Sequence, residues 1–379
     1  MENLETNHLK NLRWELDKLD QEILALFQRR MQLCEKVVQF KKKNGKPVLD
    51  TQREKEKLLE INKQTAIPYQ KGARELFFNL MSIGRKKQYE LLGEDFLFAF
   101  EEKESLQKKN ITVAFQGVEG AYSHLALQKY FGQSSDILPK AKKEFMDVMK
   151  AVETGEADYA VLPIENSTVG IIFDVYDLLA LYDHAIVGEI GFPIKHALLA
   201  VPGTTLESIR IVYSHPQALA QSAEFLKQYP QWSIQSMENT AAAAKKIALD
   251  NDQTQAAIAS ETAADLYHLN RLKEEINFEK NNETRFIVIS KRKFFLSSAN
   301  KVSIYFEIPH ESGSLYSVLS HFFHYQINMS KIESRPILRK KWEYRFFIDF
   351  IGNLKESSVQ HLLQGIKAET FKLKILGNY

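Results

Sequence analysis

Apolar positions at the start of the chain recur in a pattern that predicts one long helix with a single packed stripe. Ten positions from 9 to 40 follow each other at alternating steps of three and four residues, the a/d spacing of a helix packed along a partner. Arg30 is the one polar member, and a guanidinium there is costly unless an anion meets it. A carboxylate of a second chain is one candidate. We call this set the seam: Leu9, Leu12, Leu16, Leu19, Ile23, Leu26, Arg30, Leu33, Val37 and Phe40.

The predicted first helix is too long to be covered within its own small domain. About 35 residues at ~1.5 Å each span roughly 50 Å, so we expect an intertwined homodimer or a homotetramer. The turn at 44–47 ends this helix. Asp50 is a plausible N-cap of a second helix, and a third is predicted from about Lys71 to Leu91. Residues 1–92 should therefore form an all-helical domain.

After a charged linker at 93–109, short β-prone runs alternate with helical segments over 110–292. Alternation of this kind predicts an α/β domain with a mostly parallel sheet. Polar residues follow several strands, at the edge where open sheets bind ligands. They are Gln116, Glu165-Asn166-Ser167, Ser214 and Ser260. Predicted strands are 111–115, 159–164, 211–213 and 256–259; predicted helices are 121–130, 173–181, 217–228 and 241–249.

The pattern of 300–379 predicts a small α+β domain of ferredoxin-like βαββαβ order. Strands are predicted at 302–308, 329–335, 344–351 and 371–375, and helices at 314–325 and 357–367. The fold class of the whole chain is thus multidomain: α, then α/β, then α+β.

Composition narrows the class of protein. A formal net charge of +2 over 379 residues argues against a nucleic-acid partner. The single cysteine, Cys34, fits a reducing compartment. No apolar run approaches the ~20 residues of a membrane span, and the first residues do not resemble a signal peptide. We expect a cytoplasmic protein that binds neither nucleic acid nor membrane.

Two cations of the first helix point to a small dianion. Arg30 and Lys41 lie ~20° apart around the helix and ~16 Å apart along it, so their long side chains can converge. The alternative for Lys41 is one of three solvated lysines at 41–43. Arg53 and Glu54 likewise read as an ordinary solvated helix face when taken alone, and Gln88 as a surface residue.

As a set, these positions resemble the helical chorismate mutase family. The resemblance runs from Leu9 to about Gln88 and rests on Arg13, Leu19-Asp20, Arg30, Lys41, Asp50-x-x-Arg53-Glu54 and Arg85-x-x-Gln88. It implies that Arg30, with Arg13 of the other subunit, binds the carboxylates of chorismate, and that Lys41 and Gln88 donate to the ether oxygen. Glu54, with Asp50 nearby, would position the ring hydroxyl, and Arg53 would support the site. Gly84 departs from the family's serine and lacks its hydroxyl donor.

The middle block resembles prephenate dehydratase over residues 110–292. The resemblance rests on the order and spacing of 115–124, 163–168, 213–217 with Gln221, and 283–286. It implies a two-lobed, periplasmic-binding-like fold with its site in the cleft. Thr284 would assist departure of hydroxide, while Asn166, Ser214 and Gln221 bind prephenate and Arg285 lies near the pyruvyl carboxylate. His215 is a tempting acid, although a lone histidine after a strand is more often structural.

The last block resembles the ACT regulatory domain, whose members bind phenylalanine between subunits. The segments that carry the resemblance are Gly313-Ser314-Leu315-Tyr316 and Glu333-Ser334-Arg335-Pro336. The alternative is that both are simple turns. Ser314 and Tyr316 depart from the smaller and aliphatic residues that are commoner there.

The order mutase, dehydratase, ACT is that of the bifunctional P-protein family of phenylalanine synthesis. It implies conversion of chorismate to prephenate and then to phenylpyruvate, with phenylalanine as allosteric inhibitor. No metal or cofactor motif occurs, and none is expected. Two rivals stay open: a dehydratase whose mutase domain has decayed, and a ligand-sensing binding protein on a helical dimerisation stalk.

Overall fold

The computed structural model describes residues 2–92, 99–337 and 343–379, so 93–98 of the predicted linker lie outside the described residues. The chain divides into two compact units. Unit 1 combines Met1–Phe98 with Ile304–Lys374, and unit 2 combines Ala99–Ser303 with Ile375–Tyr379. Within the described ranges, no helix is both long and apolar enough to cross a membrane.

The three helices predicted at the start of the chain are present. They are α1 (Glu2–Lys43), α2 (Thr51–Gln64) and α3 (Gln70–Leu92), with a short 3₁₀ helix at Ile67–Tyr69 before α3. The side chain of Asp50 accepts a hydrogen bond from the backbone N–H of Arg53 at 3.0 Å, which is the N-cap that the sequence predicts for α2. Both α1 and α2 pack against α3.

The seam is exposed to solvent in the single chain. Its nine apolar side chains are between 44% exposed, at Leu12 and Val37, and 65% exposed, at Leu26. Isolated exposed leucines are ordinary, but a continuous stripe of them marks an interaction surface.

The third block of the chain has the element order βαββαβ. Its strands belong to one sheet, and two helices accompany them. The bounds of all elements between α3 and the C-terminus are β1 (Glu101–Lys103), β2 (Ile111–Gln116), α4 (Tyr122–Phe131), β3 (Ile137–Lys142), α5 (Phe145–Glu153), β4 (Tyr159–Asn166), β5 (Gly170–Ile171), α6 (Phe173–Leu181), β6 (Ala185–Pro193), β7 (Ala197–Ala200), β8 (Ile211–Ser214), α7 (Pro216–Gln221), α8 (Ala223–Leu226), β9 (Ser233–Ser236), α9 (Thr240–Asp250), β10 (Gln255–Ala259), α10 (Glu261–Leu266), β11 (Asn270–Lys273), β12 (Glu283–Ser290), β13 (Phe294–Leu296), β14 (Lys301–Glu307), α11 (Ser314–His324), β15 (Met329–Pro336), β16 (Tyr344–Ile351), α12 (Ser357–Glu369) and β17 (Lys372–Asn378).

Unit 2 has two lobes, each built on its own sheet. The strands of the first lobe follow the order β6-β12-β4-β2-β3, and those of the second follow β11-β7-β10-β8-β9. Both sheets are mixed, which corrects the expectation of a mostly parallel sheet. In the first lobe β2 is parallel to β3 and β4, whereas β12 is antiparallel to β4 and β6. The antiparallel strands are those by which the chain crosses from one lobe to the other and returns.

One predicted helix is interrupted in the structure. The segment predicted as a single helix over 217–228 forms α7 and α8, which meet at Ser222. The backbone of Ser222 leaves helical geometry there, so α7 ends just after Gln221.

The sheet of the third block has the strand order β15-β16-β14-β17. Among the described strands, β15 lies at the edge of this order and pairs with β16 in antiparallel register. Residues 338–342, between β15 and β16, lie outside the described residues.

Candidate active sites

The two lobes of unit 2 enclose a cavity of about 330 Å³. Residues from the ends of β2, β4 and β12 line one side, and residues from α7 and α9 line the other. Its polar lining includes Gln116, Tyr122, Ser123, Asn166, His196, His215, Gln217, Gln221, Glu238, Asn239, Thr240 and Thr284.

Two helices direct their N-termini at this cavity. Tyr122 and Ser123 open α4, while Asn239 and Thr240 open α9, and all four line the cavity. The Asn239 side chain caps α9 by accepting from the N–H of Ala242 at 2.7 Å. Helix N-termini carry partial positive charge and unpaired N–H groups, so these two ends favour an anion, although the described lining contains the carboxylate of Glu238 and no lysine or arginine.

Asn166 and Thr284 form a fixed pair in the cavity wall. They face each other across the β4–β12 ladder, and both are buried. The Oδ1 of Asn166 accepts from the backbone N–H groups of Thr168 and Val169, both at 3.0 Å, which sets the orientation of its amide. Its Nδ2 must then donate, and it does so to Oγ1 of Thr284 at 2.9 Å. The hydroxyl hydrogen of Thr284 stays available for a ligand.

Gln221 reaches the cavity through a network that sequence analysis missed. Its Oε1 lies 2.9 Å from Nε2 of His196, and Nδ1 of His196 lies 3.0 Å from the hydroxyl of Tyr122. The Nε2 of Gln221 is buried without a hydrogen-bond partner within the described ranges, so it can donate to a bound carboxylate. Burial lowers the pKa of His196. An isolated Lys195-His196 pair in the sequence carries no motif that would have revealed it.

His215 lines the same cavity in a structural role. Its Nδ1 accepts from the N–H of Gln217 at 3.2 Å and so caps α7. Burial lowers the pKa of His215. The neutral imidazole that this favours can keep the cap bond, which agrees with the structural alternative for this residue.

Arg285 and Ser214 are not among the residues that line the cavity. Successive side chains of a strand point to opposite faces, so Arg285 faces away where Thr284 and Phe286 face inward. Its guanidinium lies 3.1 Å from Glu165 and 3.2 Å from Glu189. The hydroxyl of Ser214 is fully buried and donates to the carbonyl of Ile258 at 2.6 Å. The predicted direct contacts of these two residues with substrate are therefore not supported by the geometry.

In unit 1, the Arg30 guanidinium contacts a carbonyl and has no carboxylate partner among the described residues. Its Nη1 donates to the backbone oxygen of Leu80 at 2.6 Å. The backbone of Gly84 lies close by, since an ideal Cβ there would be 3.2 Å from Nη1 of Arg30 and 3.0 Å from Sγ of Cys34. The guanidinium thus occupies part of the space that a serine at this position would need.

Lys41 and Gln88 flank the same region. The ammonium of Lys41 donates to the carbonyl of Val48 at 2.6 Å, and burial lowers its pKa against the opposing fields of Asp50 and Glu54. The Nε2 of Gln88 donates to the carbonyl of Gly84 at 3.1 Å. Its Oε1 is buried and has no hydrogen-bond partner in the described part of the chain.

Glu54 is held by an arginine for which the sequence suggested no role. Both its carboxylate oxygens accept from Nη1 of Arg85, at 2.5 and 2.6 Å. Arg53 is exposed, one residue before it on α2. Arg13 is exposed on α1, and 17 residues of helix separate it from Arg30, or about 25 Å. Arg13 therefore cannot reach the Arg30 region of its own chain.

A small cavity lies at the start of α11. Its volume is about 140 Å³, and its lining includes Ser314, Leu315 and Glu311. Gly313, the N-cap of α11, has a left-handed backbone with φ of 89°. On β15, Glu333 and Arg335 are half-buried, whereas Ser334 and Pro336 are exposed. Tyr344 and Phe346, which pair with Pro336 and Ser334, complete the cavity wall.

Two family models match the chain. The model described as chorismate mutase type II matches residues 12–89, and the model described as prephenate dehydratase matches residues 113–294. The chain is similar to the crystal structure of prephenate dehydratase in complex with L-Phe from Arthrobacter aurescens, with 30% identity and a TM-score of 0.65. That match covers 71% of this chain and 89% of the other. The N-terminal helices thus match a chorismate mutase, and the two-lobed unit with its cleft matches a prephenate dehydratase. Together they define a class of proteins that combine these two enzymes.

Full-length relatives combine both parts in the same order. The bifunctional chorismate mutase/prephenate dehydratase of Aquifex aeolicus is 37% identical, and the match covers 98% of this chain and 97% of that one. The enzyme of the same description from Enterobacter agglomerans is 35% identical over 98% of this chain and 96% of its own. The chain belongs to the family of bifunctional chorismate mutase/prephenate dehydratases.

Proposed function

We propose that this chain converts chorismate to prephenate in its helical part and prephenate to phenylpyruvate in the cleft of unit 2, and that phenylalanine inhibits it. The observation that carries the proposal is the Asn166–Thr284 pair in a cavity whose walls favour an anion. Prephenate is a dianion, and the cleft offers it helix N-termini and neutral donors.

In the dehydratase reaction, the ring of prephenate loses a carboxylate as CO₂ and its hydroxyl as hydroxide, which takes up a proton from solvent to become water. The electron pair of the C–CO₂⁻ bond enters the ring, which becomes aromatic, and the C–O bond to the hydroxyl breaks. The hydroxyl oxygen of Thr284 already accepts a hydrogen bond from Asn166. Its own hydrogen is therefore directed to the departing hydroxyl of the substrate, to which it donates a hydrogen bond. Gln221 binds a substrate carboxylate through Nε2. For Ser214 and Arg285 we propose supporting roles. Ser214 holds the end of β8, just before α7, against β10, and Arg285 stabilises the face of β12 that points away from the cavity.

In the mutase reaction, one C–O bond breaks and one C–C bond forms without a nucleophile. The protein has to hold the compact conformer and stabilise charge on the ether oxygen. We assign that stabilisation to Lys41 and Gln88, and the substrate carboxylates to Arg30 and the partner's Arg13. Glu54 accepts from the ring hydroxyl beside Asp50, with Arg53 in support. Gly84 leaves room for the Arg30 side chain in place of a hydroxyl donor.

We propose that a second copy of the chain covers the seam. The exposed stripe on α1 extends past both Arg13 and Arg30, and Arg13 is too far from Arg30 to join it within one chain. An antiparallel or crossed partner helix brings the two arginines together. A homodimer is the minimum assembly, and a homotetramer would add a second interface.

The third block is proposed to be an ACT domain that binds phenylalanine. The cavity beside Ser314 and Leu315 supports this, as does the position of β15 at a sheet edge where a second copy can pack. Glu333, Ser334, Arg335 and Pro336 would face that second copy. The solved relative from Arthrobacter aurescens, a complex with L-Phe, adds support.

The domain boundaries proposed are 1–92 for the mutase, 93–109 for the linker, 110–292 for the dehydratase and 300–379 for the ACT domain. The family match at 12–89 falls inside the first of these ranges, and the match at 113–294 falls inside the third except for its last two residues. A cytoplasmic location is proposed from the lone Cys34.

The test is a product assay from chorismate with the purified chain, with and without phenylalanine. Prephenate and phenylpyruvate should both appear, and phenylalanine should suppress phenylpyruvate. Turnover of prephenate without consumption of chorismate would favour a dehydratase with a decayed mutase. Turnover of neither, with retained binding of a ligand, would favour the sensor.

A further inference from the structure

Arg85 joins two carboxylates from opposite ends of the chain. Its Nη1 contacts both oxygens of Glu54 on α2, while its Nε donates to Oε1 of Glu369, at the end of α12, at 2.8 Å. The Nη2 lies 3.4 Å from the other oxygen of Glu369. Because the guanidinium is a planar fork with five donors, one arginine can hold two carboxylates in fixed positions, which a lysine cannot do.

The three side chains differ in exposure. Arg85 is 5% exposed and Glu369 is 4% exposed, whereas Glu54 is 20% exposed. Glu54 is therefore the member that a ligand can reach. Its oxygens keep lone pairs beyond those used by Arg85, so they can also accept from a hydroxyl.

Glu369 is itself anchored by α11. It accepts from the hydroxyl of Ser317 at 2.9 Å, and Nε2 of His321 lies 3.3 Å from it. Burial alone would raise the pKa of Glu369, but His321 and Arg85 lower it to about 2. Burial alone would also lower the pKa of Arg85, and Glu369 and Glu54 outweigh that effect. Both groups thus stay charged at neutral pH.

We infer that Arg85 is a positioning residue of the mutase reaction, which fixes the carboxylate of Glu54 for the ring hydroxyl of chorismate, and that Glu369 holds Arg85 in place for this task. The inference rests on the proposed mutase function and adds to it. A buried ion pair is weak evidence for stability, but it can specify one geometry. The consequence is that a side chain of the third block supports the chemistry of the first.

The decisive variants act on Glu369 and Arg85 without touching substrate. In Glu369→Gln, kcat/KM for chorismate should fall about tenfold, the size of coupling expected for neighbours in one buried network. The loss should appear mainly in KM, because Glu54 holds the hydroxyl in the ground state and transition state alike. The double variant Arg85→Met/Glu369→Gln should show at least the same loss in kcat/KM. The loss in Arg85→Lys should be smaller than that in the double variant. Lys87→Met, which breaks a half-buried pair with Glu90 on the same helix, is the matched control and should change nothing.

A double-mutant cycle separates positioning from general packing. If Arg85 acts through Glu54, the paired change Arg85→Met/Glu369→Gln should cost less than about twofold in a Glu54→Gln background. An undiminished loss in that background would overturn the inference. So would wild-type kinetics in a folded Glu369→Gln protein, with folding checked by circular dichroism.

Arg85→Met alone removes the guanidinium from two carboxylates and leaves the buried Glu369 with only Ser317 and His321 beside it. This can unfold unit 1, which is why the double variant is included. In that variant the buried Glu369 position carries no charge, so a folded protein is expected. A wild-type protein that leaves chorismate unchanged would refute the proposed mutase function itself, whereas active wild type with unaffected variants refutes only the role of Arg85.

Discussion

The amide nitrogen of Asn166 lies 2.9 Å from the hydroxyl oxygen of Thr284 across two paired strands. Two backbone N–H groups hold the amide in this orientation, so the hydroxyl receives one hydrogen bond and directs its own hydrogen elsewhere. Both residues line the cavity of about 330 Å³, so a ligand bound there can accept a hydrogen bond from this hydroxyl. The arrangement turns a common side chain into a donor of defined direction.

Replacing Thr284 tests that donor. Thr284→Ala should lower kcat for prephenate roughly 10²- to 10⁴-fold, the range for loss of a positioned acid or donor. Thr284→Ser keeps the hydroxyl and should stay within about tenfold of wild type in a continuous phenylpyruvate assay. Unchanged turnover in the alanine variant would remove Thr284 from the mechanism.

Asn166→Asp is a sharper test, because it keeps the acceptor for Thr168 and Val169 and removes the amide donor toward Thr284. The same amide also donates to Oδ1 of Asn282 at 2.7 Å and to the carbonyl of Glu283 at 3.2 Å, and these two bonds are lost as well. The threonine hydroxyl should then donate to the new carboxylate and no longer to the ligand. We expect a loss of roughly ten- to a hundredfold in dehydratase turnover, from one reversed hydrogen bond in a buried site. Mutase activity, measured on the same preparation, is the internal control and should be retained.

Lys41 should matter to the mutase through its charge. Lys41→Ala is expected to lower kcat for chorismate roughly 10²- to 10³-fold, as for removal of an oxyanion donor. Lys43→Ala, two residues further on α1 and exposed, is the matched control.

The same residue predicts a pH dependence. Since burial lowers the pKa of Lys41, its ammonium is lost at a lower pH than that of an ordinary lysine. Mutase activity should be present below this pKa and fall as pH rises through it. In Lys41→Arg the alkaline fall should move to higher pH, and an identical profile would show that another group titrates.

Shared sites between subunits predict complementation. Arg13→Ala and Arg30→Ala should each be nearly inactive as mutases. Co-expressed, they should form heterodimers with one intact site, so the mixture should regain roughly a quarter of wild-type activity by the symmetry of a two-fold dimer. Leu26→Glu in the seam should abolish both the regain and the dimer, as measured by light scattering. No regain in a mixture that does form heterodimers would contradict a site shared by Arg30 of one subunit and Arg13 of the other.

Gly313 should matter for inhibition by phenylalanine. Its φ of 89° disfavours a side chain by ~1–2 kcal/mol, although nothing lies within 4 Å of an added Cβ. Gly313→Ala should therefore raise the inhibitory phenylalanine concentration about fivefold or more. Gly155 has a φ of 77° and equally open surroundings in unit 2, so Gly155→Ala is the matched control. Equal effects of both variants would mean that the strain acts on folding rather than on the effector.

Local pattern accounts for what could be predicted about the fold. Seam periodicity predicts α1, and the Asp50 cap predicts the start of α2, because both depend on neighbours in sequence. Antiparallel β12 could not be predicted, since its direction depends on where the chain re-enters the first lobe. The helix break at Ser222 could not be predicted either, because the segment 217–228 contains no glycine or proline.

The candidate sites divide in the same way. Thr284 and Gln221 lie in motifs, and both line the cavity. Arg285, predicted to lie near the pyruvyl carboxylate, is not among the residues that line the cavity, because adjacent strand residues share a motif but not a side of the sheet. His196 and Glu369 carry no motif at all, and only the folded chain brings them to Gln221 and Arg85.

The Arg85–Glu369 contact also has a consequence for synthesis. The two residues are 284 positions apart, so Glu369 leaves the ribosome roughly 15–60 s after Arg85 at ~5–20 residues per second. During that interval Arg85 has Glu54 but not its second carboxylate, and α3 lacks the cover of α12. The N-terminal helices therefore stay incompletely packed until α12 has been synthesised. A nascent chain stalled before Glu369 should be degraded more readily for this reason.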